Sequence, residues 1–230
     1  MGNKYAMLEE EKYFFDLTGY LIVRHALASE EVSECNKTID RYVDKIQSRS
    51  IENGGLAGRS ETLHGQSGRL ELTGMLGWPV PHREAFRKLL VHPVVVSCLN
   101  VLSGKGFRLD HGPLMIGAME GTEGHLLHGA GEPFSQSVWY HQQNGRIYCR
   151  GITVAWQLYD VNEGDGGFVV VPGSHKSRFR MPEGVRTVDD DMGLVVQPVM
   201  EAGDVLFLAE TATHGTLPWK GIRRKKINSV

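Results

Sequence analysis

The sequence predicts a mainly β domain with helices at its N-terminal end, an α+β chain whose core is an antiparallel jelly roll. Apolar residues recur at helical spacing through about the first 104 residues. From Phe107 onward the chain breaks into short β-branched and aromatic runs separated by glycine, with no comparable helix between them. The length of 230 residues and 41% hydrophobic content suit one well-buried domain, residues 1–230, with a helical part over about 1–104 and a β core over about 105–230.

Each element has a local reason. An acidic first helix precedes "TGYLIVRHAL", a short strand. "SEEVSECNKTIDRYVDKI" reads as a helix with Ser29 as N-cap and Glu30 and Glu31 in the first turn, where the unpaired N–H groups favour anions. Val32, Cys35, Ile39, Tyr42, Val43 and Ile46 form its buried stripe. Residues 48–70 are polar and glycine-rich, a long loop or a mobile lid. "PHREAFRKLLVH" and "PVVVSCLNVLSG" read as two helices, the second opened by Pro93 and stopped near Gly104. The strands then follow as "LMIGAM", "SVWYHQ", "RGITVAWQLYDV", "GFVVVPG", "LVVQPV" and "DVLFLAE". A last strand starts in "GIRRKKINSV" with little room to finish, so a truncated or altered C-terminus, with a missing strand, is expected.

Lys and Arg number 25 against 27 Asp and Glu, a net charge of -2. No basic surplus favours nucleic acid or an anionic membrane, so a small molecule is the expected partner. Oligomeric state is left open. Cys35, Cys98 and Cys149 stand far apart without a CxxC pair, which fits free thiols in a reducing compartment. The N-terminus lacks the apolar core of a signal peptide, and no run approaches ~18 apolar residues. A cytoplasmic protein is expected.

The chemistry rests on histidines. A non-haem Fe(II) site needs two imidazoles and usually a carboxylate on one face, with positions left open for co-substrate and oxygen. His214, in "GDVLFLAETATHGTLPW", follows a Gly-Asp turn and a buried strand. Arg223 lies shortly beyond and could form a bidentate pair with a dicarboxylate; read blandly, it belongs to a solvated basic tail with Arg224, Lys225 and Lys226. Two places compete for the other histidine: His128 in "GTEGHLLHGA" and His141 in "SVWYHQQNG". Neither has an acid two residues later, where Ala130 and Gln143 stand.

"FFDLTGYLIVRHALASEEV", "ITVAWQLYDVNEGDGGFVVVPGSHKSRF" and "GDVLFLAETATHGTLPW" together resemble the phytanoyl-CoA dioxygenase family of Fe(II)/2-oxoglutarate oxygenases, over about Phe14 to Arg224. The resemblance implies a cupin-like double-stranded β-helix, with Fe(II), 2-oxoglutarate and O2 as cofactor and co-substrates. It implies His214 as distal iron ligand and favours His128 over His141 as the proximal one. Arg223 most nearly matches the arginine that holds 2-oxoglutarate, with Arg224 as second choice. Thr216 matches a hydroxyl beside it, and Trp156 an aromatic lining the co-substrate pocket, with an ordinary core tryptophan as the equal alternative. His175 in "PGSHKS" matches a structural position. The implied reaction is hydroxylation of an unactivated carbon of a small molecule, with release of succinate and CO2.

The family's His-x-Asp is here His128-Gly129-Ala130. The vacancy could take a halide, as in related halogenases, Glu210 or Glu132 could supply the carboxylate from elsewhere, or the site could bind iron poorly and be inactive. A non-catalytic binder of small ligands is the reading from a different class.

Overall fold

The computed structural model describes residues 5–52, 55–129 and 135–221, and the backbone of 225–229. Helix α1 (Glu9–Thr18) opens on Glu9, Glu10 and Glu11 and closes at Gly19, whose φ of 84° is left-handed. Strand β1 (Tyr20–Val23) leads to helix α2 (Ser29–Asp40). Its cap is Ala28 rather than Ser29, and the Ala28 N–H donates to the Glu31 carboxylate at 2.9 Å. The acid three residues on thus satisfies the donor, and no hydroxyl is needed. Val32, Cys35 and Ile39 are buried as expected, but the helix ends at Asp40 and Val43 is exposed.

Helices α3 (His82–Leu90) and α4 (Pro93–Leu102) stand where the sequence puts them. Taken end to end, His82–Leu102 is long and apolar enough to cross a membrane. It is, however, two helices separated at Val91 and His92, and Phe86, Leu89, Val95, Cys98 and Leu102 are buried in the main core.

Seven strands form the major sheet in the order β1-β10-β8-β12-β4-β3-β2. Besides β1, its members are β2 (Gln47–Ser48), β3 (Leu70–Leu72), β4 (Leu114–Ala118), β8 (Ile152–Gln157), β10 (Val205–Ala209) and β12 (Lys225–Ser229). The minor sheet, in the order β5-β11-β9, comprises β5 (His125–His128), β9 (Gly167–Val170) and β11 (His214–Leu217). Strands β6 (Tyr140–Gln143) and β7 (Arg146–Cys149) make a separate hairpin. This is an open jelly roll with helices packed on its major sheet. The strand that the sequence starts in the C-terminal segment pairs, over Lys225–Ser229, between β8 and β4. "LVVQPV" forms no strand among the described residues and contributes only a bridge from Val196 to Val170, while a short helix, α5 (Glu183–Thr187), was not foreseen.

Strands β8 and β10 are apolar on both faces because each side meets a layer. Val154, Trp156, Val205, Phe207 and Ala209 join the helix-side core, while Ala155, Leu206 and Leu208 face the other way. The described residues 55–70 of the polar loop pack against the body of the domain. Ala57, Ser60 and Leu63 are fully buried, Ser60 Oγ donates to the Thr187 carbonyl at 2.6 Å, and the Leu126 N–H donates to the Leu56 carbonyl at 3.0 Å. These residues form a packed wall.

Asp16 latches α1 to the "PGSHKS" turn. Its carboxylate accepts the Tyr140 hydroxyl and, at 3.0 Å, Lys176 Nζ, while His175 Nε2 lies 3.1 Å from its carbonyl oxygen. Burial opposes the charge, but these bonds outweigh it and hold the carboxyl below its ordinary 3.8. A depressed carboxyl stabilises the fold above its unfolded pKa and loses that contribution as pH falls through the folded one. Asp16→Asn should therefore lower thermal stability at neutral pH, and the gap to the native chain should close below about pH 3.8. Thermal melts of both proteins across this range check it.

Candidate metal and co-substrate site

Strands β5 and β11 run antiparallel with His128 directly opposite His214, so the two rings meet across the ladder with centroids 4.3 Å apart. Glycines allow the close fit. A Cβ on Gly215 would stand 2.6 Å from the His125 carbonyl oxygen, and one on Gly129, at φ 99°, would stand 2.3 Å from that of Ala212.

Both imidazoles are held in one tautomer. His128 Nδ1 lies 3.0 Å from the Leu126 carbonyl oxygen, and His214 Nδ1 lies 2.8 Å from that of Ala212. A carbonyl only accepts, so each Nδ1 carries the proton and each Nε2 keeps its lone pair. Burial, then the neighbouring His128, depress the His214 pKa against the Ala212 and Glu210 contributions, which keeps the ring neutral. Two imidazoles that turn their Nε2 atoms to one cavity are the kind of donor set a first-row divalent metal takes.

The pair lines a cavity of about 270 Å³ between the two sheets. Ala118, Thr153, Ala155 and Leu206 wall it on the major sheet, and Phe168 and Thr216 on the minor one. Burial also holds His125, on the same wall, down to about 3, helped by His128 and Arg69. Arg69, not singled out in the sequence, lines the cavity as well. Its Nε donates to Glu71 Oε1 at 2.6 Å, and Arg49 Nη1 donates to the same oxygen at 3.2 Å. Two guanidiniums share one carboxylate, leaving positive charge at the cavity wall. Nothing local in "GQSGRLEL" signals this, because the loop's route decides it.

The expected residues divide into three groups. His128, His214 and Thr216 come together at the cavity. Trp156 does not line it: odd-numbered Thr153, Ala155 and Gln157 point there, and strand alternation sends Trp156 to the helix side, fully buried edge-to-face on His92 at 5.2 Å. His141 lies on the hairpin, stacked on Trp139 at 4.9 Å and on Tyr148 at 6.2 Å, away from the cavity. Ala130, Glu132, Arg223 and Arg224 fall outside the described residues. Glu210 accepts a hydrogen bond from Thr153 Oγ1, and Glu123 accepts the N–H groups of Leu56 at 2.9 Å and Ala57 at 3.3 Å. Among the described residues, no three His, Cys, Asp or Glu side chains are already gathered as a metal cage.

The family model "Phytanoyl-CoA dioxygenase (PhyH)" matches residues 15–226. The chain belongs to the phytanoyl-CoA dioxygenase family. This places it among the Fe(II)/2-oxoglutarate-dependent oxygenases. No curated protein sequence matches it. Among solved structures, HygX from Streptomyces hygroscopicus with nickel, 2-oxoglutarate and hygromycin B bound superposes with a TM-score of 0.77 at 19% identity, covering 96% of this chain and 85% of that one. The non-heme alpha ketoglutarate dependent epimerase SnoN from nogalamycin biosynthesis gives 0.66 at 20% identity, covering 96% and 80%. AviO1 from Streptomyces viridochromogenes Tue57 gives 0.67 at 14% identity, covering 99% and 95%. At these identities the likeness is one of fold, and this phytanoyl-CoA dioxygenase relative has the same jelly roll.

Proposed function

We propose that this chain oxidises, by hydroxylation, an unactivated carbon of a small organic molecule, converting 2-oxoglutarate to succinate and CO2. The observation that carries the reading is the His128–His214 pair, with both Nδ1 atoms tied to carbonyls and both Nε2 atoms free at one cavity. These two residues would hold Fe(II). The metal, when bound, supplies the oxygen chemistry that couples decarboxylation to C–H oxidation.

The chain's own residues do the rest. Leu206, Leu208 and Phe168 make part of the cavity wall apolar and exclude water from it. Thr216 offers a hydroxyl, and Arg69 a guanidinium, to the carboxylates of the co-substrate. By its resemblance to the family, Arg223 would take the far carboxylate. HygX and SnoN have been crystallised with hygromycin B and nogalamycin RO, and a small-molecule substrate is proposed here too.

Anaerobic Fe(II) added with 2-oxoglutarate should give the weak visible charge-transfer band of a chelated complex, and admitting air should yield succinate. Neither band nor succinate would sink the reading. Binding of 2-oxoglutarate without succinate would favour a ligand-binding relative. Arg69→Gln should raise KM for 2-oxoglutarate about 10- to 100-fold, the worth of a charge-assisted hydrogen bond of roughly 1.5–3 kcal/mol. Succinate formation measured against co-substrate concentration checks this.

A further inference from the structure

We propose that His125 is the third protein ligand of the metal site, supplying the donor that position 130 lacks; the inference rests on the oxygenase reading above. In a regular strand, residues three apart point to opposite faces. Here His214 pairs with His128 and Thr216 with His125, so two steps on β11 answer three on β5. This bulge turns His125 to the same side as His128, and bulges of this kind commonly re-aim side chains beside active sites. The His125 and His128 ring centroids lie 4.4 Å apart, and those of His128 and His214 4.3 Å. Two imidazoles at right angles on one ion, with metal–nitrogen distances of ~2.1 Å, put their centroids about 4.5 Å apart.

The other candidates are occupied. Glu210 does not line the cavity and its Oε1 accepts from Thr153, while both Glu123 oxygens accept the loop N–H groups of Leu56 and Ala57. No hydrogen bond engages either ring nitrogen of His125 among the described residues, although the ring lines the cavity. It is free to turn about its side-chain torsions onto an ion held by the other two. Three imidazoles leave three of six positions, enough for bidentate 2-oxoglutarate and oxygen. No position then remains for a halide, and chloride should leave the charge-transfer band unchanged.

The test uses the full chain stripped of metal. Pulsed EPR of the Cu(II)-loaded protein should count three coordinated imidazoles, and two would overturn the proposal without any variant. Anaerobic Co(II) titration should show His125→Gln binding at least about tenfold more weakly than the native chain, since even outer partners of ligands are worth that much. Glu210→Gln should bind as the native chain does. Native affinity in His125→Gln, or loss in Glu210→Gln alone, would overturn the assignment. If the native chain binds neither Co(II) nor Fe(II), the oxygenase reading itself falls; if it binds and His125→Gln binds equally, only this inference does. Far-ultraviolet circular dichroism of metal-free His125→Gln verifies that the variant is folded.

Discussion

His214→Ala is expected to abolish succinate formation, by at least about 100-fold, and to remove Fe(II) binding with it. The reason lies in how the ring is presented. His214 opens β11, faces His128 across the ladder and has its Nδ1 tied to the Ala212 carbonyl, so its Nε2 is fixed in position before any metal arrives. Among the described residues lining the cavity, only His128 is presented in the same way. Glu210 lies near enough to act electrostatically on His214, yet its carboxylate is bonded to Thr153. Truncation should cost little stability, because the ring is half-buried at the cavity and packs mainly on other rings. Metal titration and a thermal melt on the same preparation separate the two effects. Unaltered Fe(II) affinity in a folded His214→Ala protein would remove the histidine pair from the chemistry.

Much of the architecture was legible because burial writes itself into local pattern. The two-sided apolar runs of β8 and β10, and the break between α3 and α4 at Pro93, follow from residue type alone. The site was harder. Strand β5 is four residues long between glycines, too short for periodicity to register. Strict alternation would also place His125 opposite to His128, and only the bulge against β11 overrides it. Arg69 reaches the cavity through the path of a glycine-rich loop, a tertiary matter that no spacing encodes. The end of α2 was misplaced for a related reason, since Tyr42 is buried after the helix has finished and so extends the apparent stripe.

Trp156→Ala is expected to destabilise the fold by about 3–5 kcal/mol, the usual cost of emptying a large aromatic site in a packed core. For a domain of this size the melting temperature should fall by on the order of 10 °C. Trp156 is fully buried on the central strand β8, with Val205 beside it on β10 and His92 edge-on from the helical layer. It therefore joins helices to sheet, and the cavity left by truncation would lie between layers that cannot close on it. Trp156→Phe should cost much less, because a ring remains and the indole Nε1, buried without a hydrogen-bond partner, gives up no bond. The same variant separates the two roles considered for this residue. An aromatic lining the co-substrate pocket would raise KM for 2-oxoglutarate when changed to Phe. A residue pointing to the helix side, with Ala155 and Gln157 taking the cavity face, leaves that KM unmoved while the melting temperature falls. Measuring both on Trp156→Phe decides between them, and a raised KM at unchanged stability would return Trp156 to the pocket.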